Sequence, residues 1–290
     1  MNRKSFLKNS ILGLAGVAAA KNTNANTPSE KSTYDKLMDR VGFNHLPNKE
    51  ETTMKSVIHR ANTRGNANHG WLNSNHTFSF ANYYNPERMN FGVLRVLNDD
   101  IVAPGRGFGK HPHDNMEIIS IPLSGDLQHQ DSMGNTTVIK QGDIQVMSAG
   151  TGVQHSEYNK NKDQEVKFLQ IWLFPDKKGV SPRYDQITLD TDCMQDEFAQ
   201  ILSPNQDDAG VWIHQEAYFH MGEFTSEKKV NYTLKNPENG LYVFVLEGDL
   251  TANETKLSKR DGYGVWDTKS VDFTTSKDSK ILLMEVPMNV

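Results

Sequence analysis

Two short groups of metal-binding side chains stand out in this chain of 290 residues. His111 and His113 flank a proline. His155, 42 residues after His113, and Glu157 flank a serine. On a β-strand, side chains two positions apart point to the same face. Two such strands facing each other would offer three imidazoles and one carboxylate to a single ion. That set suits a redox-capable or hard transition metal and leaves coordination positions open for chemistry.

The segments before the two groups indicate how the strands reach such a site. Residues 105–110 contain three glycines, and residues 149–154 contain two. Glycine permits a β-bulge or a close approach of two backbones. Pro112 cannot donate a hydrogen bond to a ladder, which places the first pair near a strand end or a bulge.

Glu117 competes with Glu157 for the role of carboxylate ligand. It lies an even number of residues after His113, so a regular strand would bring it to the same face. The spacing also resembles the general cupin pattern, in which a glutamate after His-x-His binds the metal. Reasoning from the residues leaves both carboxylates open. The other histidines, His129 among them, are interpreted as surface or core residues.

Short runs rich in β-branched and aromatic residues predict an all-β protein. The predicted strands are 91–97, 117–123, 136–140, 144–147 and 166–174. Turn signals separate them at Asn98-Asp99-Asp100, Ser124-Gly125-Asp126, Met133-Gly134-Asn135 and Gln141-Gly142-Asp143. Helical periodicity is confined to Asp192–Leu202. Strands this short and this regularly spaced predict a sandwich or barrel.

A faint internal repeat predicts two similar β-units. Residues 121–127 match residues 244–250 at an offset of 123, and Gly142 is echoed by Gly262. The units would join near residues 175–190. The same shift carries the first histidine pair to Leu234 and Asn236, which cannot replace it as metal ligands. The repeat therefore predicts that the first unit holds the metal.

The N-terminus has the pattern of an export signal. A basic head with Arg3, Lys4 and Lys8 precedes the apolar run 11–20, which ends in small residues. Ten apolar residues are too few to span a bilayer. Residues 1–20 are therefore predicted to be a signal peptide of the twin-arginine-like or Sec type, and the polar residues 21–53 a linker. The mature protein is expected in the periplasm.

Composition argues against nucleic acid as a partner. The net charge is −5 without a clustered basic segment, so nucleic-acid binding is not expected.

The aromatic residues of the first unit are interpreted as core residues and not as pocket walls. They are Trp71, Phe78, Phe80, Tyr83, Tyr84 and Phe91.

Several motifs over residues 54–290 resemble the pirin family, and bacterial pirin-like quercetin 2,3-dioxygenases in particular. They are Arg60-Ala-Asn-Thr-Arg-Gly, His69-Gly-Trp71, His76-Thr-Phe-Ser-Phe80, Phe108-Gly-Lys-His111-Pro-His113 and the stretch from Gly142-Asp through Met147-Ser-Ala-Gly-Thr-Gly152 to His155-Ser-Glu157. The resemblance implies a bicupin of two antiparallel, jelly-roll-type β-barrels, with metal only in the N-terminal one. The domains would be 54–178, the metal-binding cupin, and 179–290, a cupin-like domain without ligands.

The resemblance also implies a site and an activity. Its ligands fall on His111, His113, His155 and Glu157, which favours Glu157 over Glu117. Glu117 would then support the site by orienting a histidine. The implied cofactor is one divalent transition metal, Fe(II) first, with Zn, Mn, Cu, Ni and Co as alternatives.

The implied reaction is cleavage of a flavonol such as quercetin with dioxygen, in a monomeric enzyme. Glu157 would accept the proton of the substrate hydroxyl. Two other functions remain open from the sequence. One is a non-catalytic, metal-dependent binding or redox-sensing module, and the other is a structural zinc site.

Overall fold

The computed structural model describes residues 53–290, and this part of the chain is almost entirely β-structure. The predicted signal peptide and nearly all of the predicted linker lie outside the described residues. Both stay predictions, as does the monomeric state. One short α-helix, α1, spans Thr191–Met194, and a 3-10 turn spans Ala61–Thr63. Neither is long or apolar enough to cross a membrane.

The described residues form 22 strands. Those up to residue 173 are β1 Lys55–His59, β2 Gly65–Asn68, β3 Leu72–His76, β4 Leu94–Val102, β5 Gly107–His113, β6 Glu117–Ser124, β7 Leu127–Asp131, β8 Thr136–Ile139, β9 Asp143–Ser148, β10 Val153–Asn159 and β11 Val166–Leu173. The remainder are β12 Arg183–Thr188, β13 Ala199–Ser203, β14 Val211–Trp212, β15 Tyr218–Phe224, β16 Lys228–Thr233, β17 Asn239–Glu247, β18 Asp249–Ala252, β19 Thr255–Ser258, β20 Gly262–Trp266, β21 Ser270–Thr275 and β22 Ser279–Pro287.

These strands make two seven-stranded and two four-stranded sheets. The first pair of sheets has the orders β12-β9-β6-β11-β4-β3-β2 and β5-β10-β7-β8. The second pair has the orders β1-β20-β17-β22-β15-β13-β14 and β16-β21-β18-β19. The all-β prediction is confirmed, but closed barrels are not. Hydrogen bonding ends at the edge strands of each sheet, so each half is an open sandwich of a large and a small sheet.

The two large sheets are buried on both faces, which explains their long apolar runs. On β11, Val166 and Phe168 pack with Leu127 of the small sheet. The alternate residues Leu169 and Ile171 point the other way. They join a core shared with the second large sheet, including Phe244 of β17. The order of layers is therefore small, large, large, small.

The predicted repeat is present in the strand order. The run β9-β6-β11-β4 of the first large sheet is matched by β20-β17-β22-β15 of the second. The turns after β6 and β17 both contain a glycine with positive φ, 75° at Gly125 and 74° at Gly248. One predicted match is wrong by two residues. Asp143 accepts a hydrogen bond from the backbone N–H of Lys140, and Asp261 accepts one from that of Ser258. The two turns are therefore equivalent, and Arg260, with φ 67°, lies where the first half has Gly142.

Strand pairing crosses the predicted limit between the two domains, near residue 178, in both directions. The domain bounds themselves stay predictions. β1, at the start of the predicted first domain, pairs with β20 in the second large sheet. β12, at the start of the predicted second domain, pairs with β9 in the first. Each half therefore completes its large sheet with a strand from the other half.

Two local predictions are wrong because long-range pairing overrides local sequence preference. Residues 98–100, predicted as a turn, lie inside β4 and are buried. Asp99 is paired there with Arg64 and Arg260, and Asp100 accepts a hydrogen bond from Ser74. The predicted helix over 192–202 is reduced to α1, because residues 199–203 form β13 against β15.

Candidate metal centre

The small sheet of the first half brings the predicted histidines together. In the β5–β10 ladder His155 lies opposite His111, and a bulge follows before Glu157. Ring nitrogens of His111, His113 and His155 all lie within 4.8 Å of one another. The expected bulge and close backbone approach are both present. A Cβ on Gly107 would stand 2.2 Å from the carbonyl oxygen of Glu157.

The hydrogen bonding of the three rings leaves nitrogens available for an ion. Nδ1 of His111 lies 2.8 Å from the carbonyl oxygen of Gly109, and it donates there if protonated, which leaves Nε2 as a ligand atom. Nε2 of His113 and both ring nitrogens of His155 are buried without a partner among the described residues. Buried nitrogens are expensive to leave unpaired. A metal ion would satisfy them, so the residues present fit a transition-metal site.

The electrostatics of the rings also fit metal binding. Burial lowers the pKa of His113 to about 4, with His111 adding to the effect. Burial lowers the pKa of His155 still further, helped by the neighbouring His111 and His113. The imidazoles are therefore neutral near pH 7, and neutral imidazole is the form that binds a metal.

Glu157 is buried beside this cluster and is held by two side chains. Its Oε1 accepts a hydrogen bond of 3.0 Å from Ser120, and its Oε2 accepts one of 3.0 Å from Gln170. Burial raises the pKa of Glu157 to about 7, against the opposing effect of these two donors. Each carboxylate oxygen keeps a lone pair for an ion or a proton.

His129 is the site residue that the sequence interpretation missed. It lies opposite Glu157 in the β7–β10 ladder, and its ligand atom lies within 4.8 Å of those of His155 and Glu157. Within that distance Glu157 groups with His129 and His155, and not with all three predicted imidazoles. A signal was available, because His129-Gln-Asp131 repeats the spacing of His155-Ser-Glu157. Nε2 of His129 lies 3.0 Å from Asp131.

Glu117 does not have the role that the sequence left open. It is in neither group of potential ligands among the described residues. Its Oε2 accepts a hydrogen bond of 2.7 Å from Ser148, and the backbone N–H of His214 donates to it as well. It therefore orients no histidine of the cluster. Burial raises the pKa of Glu117 to about 7.

A cavity of about 470 Å³ opens beside the cluster, lined by His111 and Glu157. Its walls include several large aromatic side chains, which corrects the interpretation of all the aromatic residues as core. Trp71 and Phe80 line it together with Phe108 and Trp172. Phe78 and Phe91 are in the core as expected. Tyr84 is exposed.

Comparison with known proteins decides the family. Residues 57–173 match the Pirin family, and residues 200–286 match the quercetinase C-terminal cupin domain. The quercetin 2,3-dioxygenase of Escherichia coli K12 is 41% identical over 230 residues, which are 79% of this chain and 98% of that protein. The chain belongs to the pirin family. A pirin-like protein of Caulobacter vibrioides is 36% identical over 76% of this chain and 95% of its own.

Solved structures agree with the pirin assignment. The crystal structure of the bacterial pirin YhhW from Escherichia coli in complex with nickel(II) superimposes with a TM-score of 0.77 at 39% identity. The match covers 81% of this chain and all of that one.

In this pirin the strands equivalent to β5 and β10 in the second half are β16 and β21. Three of their inward residues belong to the core, namely Tyr232, Val271 and Phe273, and Val230 packs against it.

Proposed function

We propose that this pirin is a metal-dependent dioxygenase that cleaves a flavonol such as quercetin. The observation that carries the proposal is the position of three closely spaced imidazoles, with buried unpaired nitrogens, at the edge of an aromatic cavity. The name of the Escherichia coli relative supports the choice of substrate.

The proposed ligands are His111, His113, His155 and Glu157. Three neutral imidazoles and one carboxylate carry a single negative charge, which suits a divalent ion such as Fe(II). The nickel complex of the relative supports nickel(II) as an alternative. The ion would supply Lewis acidity toward a substrate hydroxyl and a place for dioxygen beside it.

The cavity walls would orient the substrate. Trp71 and Phe108 meet edge to face with ring centres 5.5 Å apart, and Phe80 and Trp172 meet in the same way at 5.3 Å. Walls of this kind favour a planar aromatic ligand. A flavonol held between them would present its 3-hydroxyl and the adjacent ring carbon toward the histidines, which lowers the entropic cost of reaction.

Glu157 is the proposed proton acceptor for the substrate hydroxyl. A general base works best when its pKa lies near the working pH. The burial that raises the pKa of Glu157 makes it a stronger base than an exposed glutamate. Ser120 and Gln170 fix its orientation. Both atoms of dioxygen would enter the flavonol as its central heterocycle opens, and the ring carbon that carries the 3-hydroxyl would leave as carbon monoxide.

The test is oxygen consumption by the anaerobically purified protein, loaded with Fe(II) or nickel(II) and mixed with quercetin in an oxygen electrode. The proposal expects one dioxygen consumed per quercetin lost, and loss of this activity in His113→Ala. A protein that binds the metal and quercetin but consumes no dioxygen would be the non-catalytic binding module instead.

We also propose that the protein acts in the periplasm, on the basis of the export pattern in residues 1–20. Cell fractionation followed by N-terminal sequencing tests this. Recovery of the uncleaved chain in the cytoplasm would contradict it.

A further inference from the structure

A row of polar side chains crosses the floor of the cavity on the first large sheet. His76 of β3 pairs with Asn98 of β4, Asn98 pairs with Gln170 of β11, and Gln170 pairs with Ser120 of β6. Residues paired across neighbouring strands share a face, so the four side chains form one line. All four are buried.

At one end of this polar row, the side chains of Ser120 and Gln170 are hydrogen-bonded. Ser120 and Gln170 both donate to Glu157, and Ser120 also lies 2.8 Å from Oε1 of Gln170. These two residues therefore serve the carboxylate of the candidate metal centre.

The other end of the polar row has no such partner. Oδ1 of Asn98 and Nδ1 of His76 are buried without a hydrogen-bond partner among the described residues. Both residues are only 2% exposed, and both line the cavity. Leaving a buried polar atom unpaired is unfavourable, because the atom loses its hydrogen bonds to water and gains none in return. A ligand in the cavity that offers a hydrogen-bonding group here recovers that free energy.

The chemistry of Asn98 and His76 favours an uncharged hydrogen-bonding group on the ligand. An amide carries no charge, and burial lowers the pKa of His76, so the imidazole is neutral near pH 7. Asp100, two residues after Asn98, also lines the cavity, and burial raises its pKa to about 7. An anionic ligand group beside this carboxyl would be repelled whenever the carboxyl ionises. The ring of Phe80 lies 5.3 Å from that of His76 and favours an aromatic ligand.

We propose that Asn98 and His76 form a hydroxyl-recognition site for a phenol group on the substrate ring that lies away from the metal ligands. The phenol O–H donates to Oδ1 of Asn98, and the phenol oxygen accepts from Nδ1–H of His76. The two residues thus determine specificity and take no part in bond breaking. The inference rests on the proposed function only for the choice of flavonols as ligands.

The test compares two flavonols that differ by one hydroxyl, galangin with none on its pendant ring and kaempferol with one at the 4′ position. Binding to the Fe(II)-loaded protein is measured without oxygen, by quenching of the fluorescence of Trp71 and Trp172, which line the cavity. The wild type is expected to bind kaempferol about tenfold more tightly, the value of one good hydrogen bond.

In Asn98→Leu, which keeps the side-chain volume, this preference is expected to fall below twofold. The matched control is Asn75→Leu on β3, whose side chain bonds to Asn66 on the opposite face and which should keep the tenfold preference. His76→Phe is the second variant in case Asn98→Leu does not fold, and it too should weaken the preference.

Equal binding of both flavonols by the wild type, or an undiminished preference in the folded variants, would overturn the proposal. Oxygen consumption separates this result from the proposed function. A tenfold preference without turnover supports the recognition site and refutes the dioxygenase. Turnover with equal binding of both flavonols supports the dioxygenase and refutes the recognition site.

Discussion

His155 lies directly opposite His111 in the β5–β10 ladder, and the centres of their rings are 4.4 Å apart. The ring of His113 is 4.9 Å from each of them. Backbone hydrogen bonds between two strands set these positions. The relative positions of these candidate ligands therefore follow from the pairing of β5 with β10.

Removal of the metal is expected to abolish activity and preserve the fold. The cores of the sandwich do not depend on the ion, so a chelator should leave the β-sheet circular dichroism unchanged and lower Tm without loss of cooperativity. Circular dichroism and thermal melts of the chelated protein check this. Collapse of the β-sheet signal on chelation would instead indicate a structural metal site.

His113→Ala should weaken metal binding by more than tenfold. Removing a residue that only supports a metal ligand typically costs 10–100-fold in affinity, and a ligand should cost at least as much. Competition with a chromogenic chelator measures the affinity. Gln154→Ala is the control, because Gln154 is exposed on the outer face of the same sheet. Equal affinities in the two variants would remove His113 from the ligand set.

His129→Phe distinguishes the two ligand groups that share His155. If His111, His113, His155 and Glu157 bind the ion, the folded variant should still bind it, with affinity lowered by no more than the 10–100-fold that loss of a supporting group typically causes. Elemental analysis after dialysis provides the measurement. Complete loss of metal from a folded His129→Phe protein would assign His129 as a ligand.

Gly107→Ala should destabilise the protein by about 1–3 kcal/mol, the usual cost of overpacking. The new Cβ would collide with the backbone of Glu157 and Tyr158, which must move apart. Activity should fall as well, because Glu157 moves with its backbone. Gly109→Ala is the matched control, since the nearest atom to its Cβ is 3.9 Å away. Urea unfolding and oxygen uptake of both variants decide the point.

Glu117→Gln should raise stability in a pH-dependent manner. Burial raises the pKa of Glu117 in the folded state to about 7, so folding favours its protonated form. The stability that this carboxyl contributes is complete below its unfolded pKa of about 4.3 and is lost as pH rises to about 7. The neutral glutamine avoids this loss. Its advantage over the wild type should therefore grow between pH 5 and pH 8, by up to about 3 kcal/mol.

Urea unfolding of the metal-free proteins at the two pH values measures the difference. Glu165→Gln, at an exposed position, controls for the loss of one negative charge. A constant difference between the Glu117→Gln and wild-type proteins at both pH values would show that Glu117 is not protonated on folding.

The sequence predicts most of the imidazole cluster because two-residue spacing maps directly onto one face of a strand. His111, His113 and His155 meet for that reason, and the glycines before them allow the close approach of β5 to β10. His129 was missed because its strand had not been predicted, so its pairing with Glu157 could not be considered.

Buried polar residues were harder to predict. Asn98-Asp99-Asp100 has the composition of a turn, yet β4 continues through it because Arg64, Arg260 and Ser74 supply partners from distant parts of the chain. The aromatic cavity walls were misread for a similar reason. Nothing in the local sequence separates Phe80, which faces the cavity, from Phe78, which faces the core.

The exchange of β1 and β12 between the halves has a consequence for how the protein is made. β1 is synthesised before the rest of its half, yet its partner β20 emerges from the ribosome about 200 residues later. β1 can therefore pair at the edge of the second large sheet only after nearly the whole polypeptide has been synthesised. A chain divided near residue 178 would leave each fragment without one of its edge strands, so neither half is expected to fold alone.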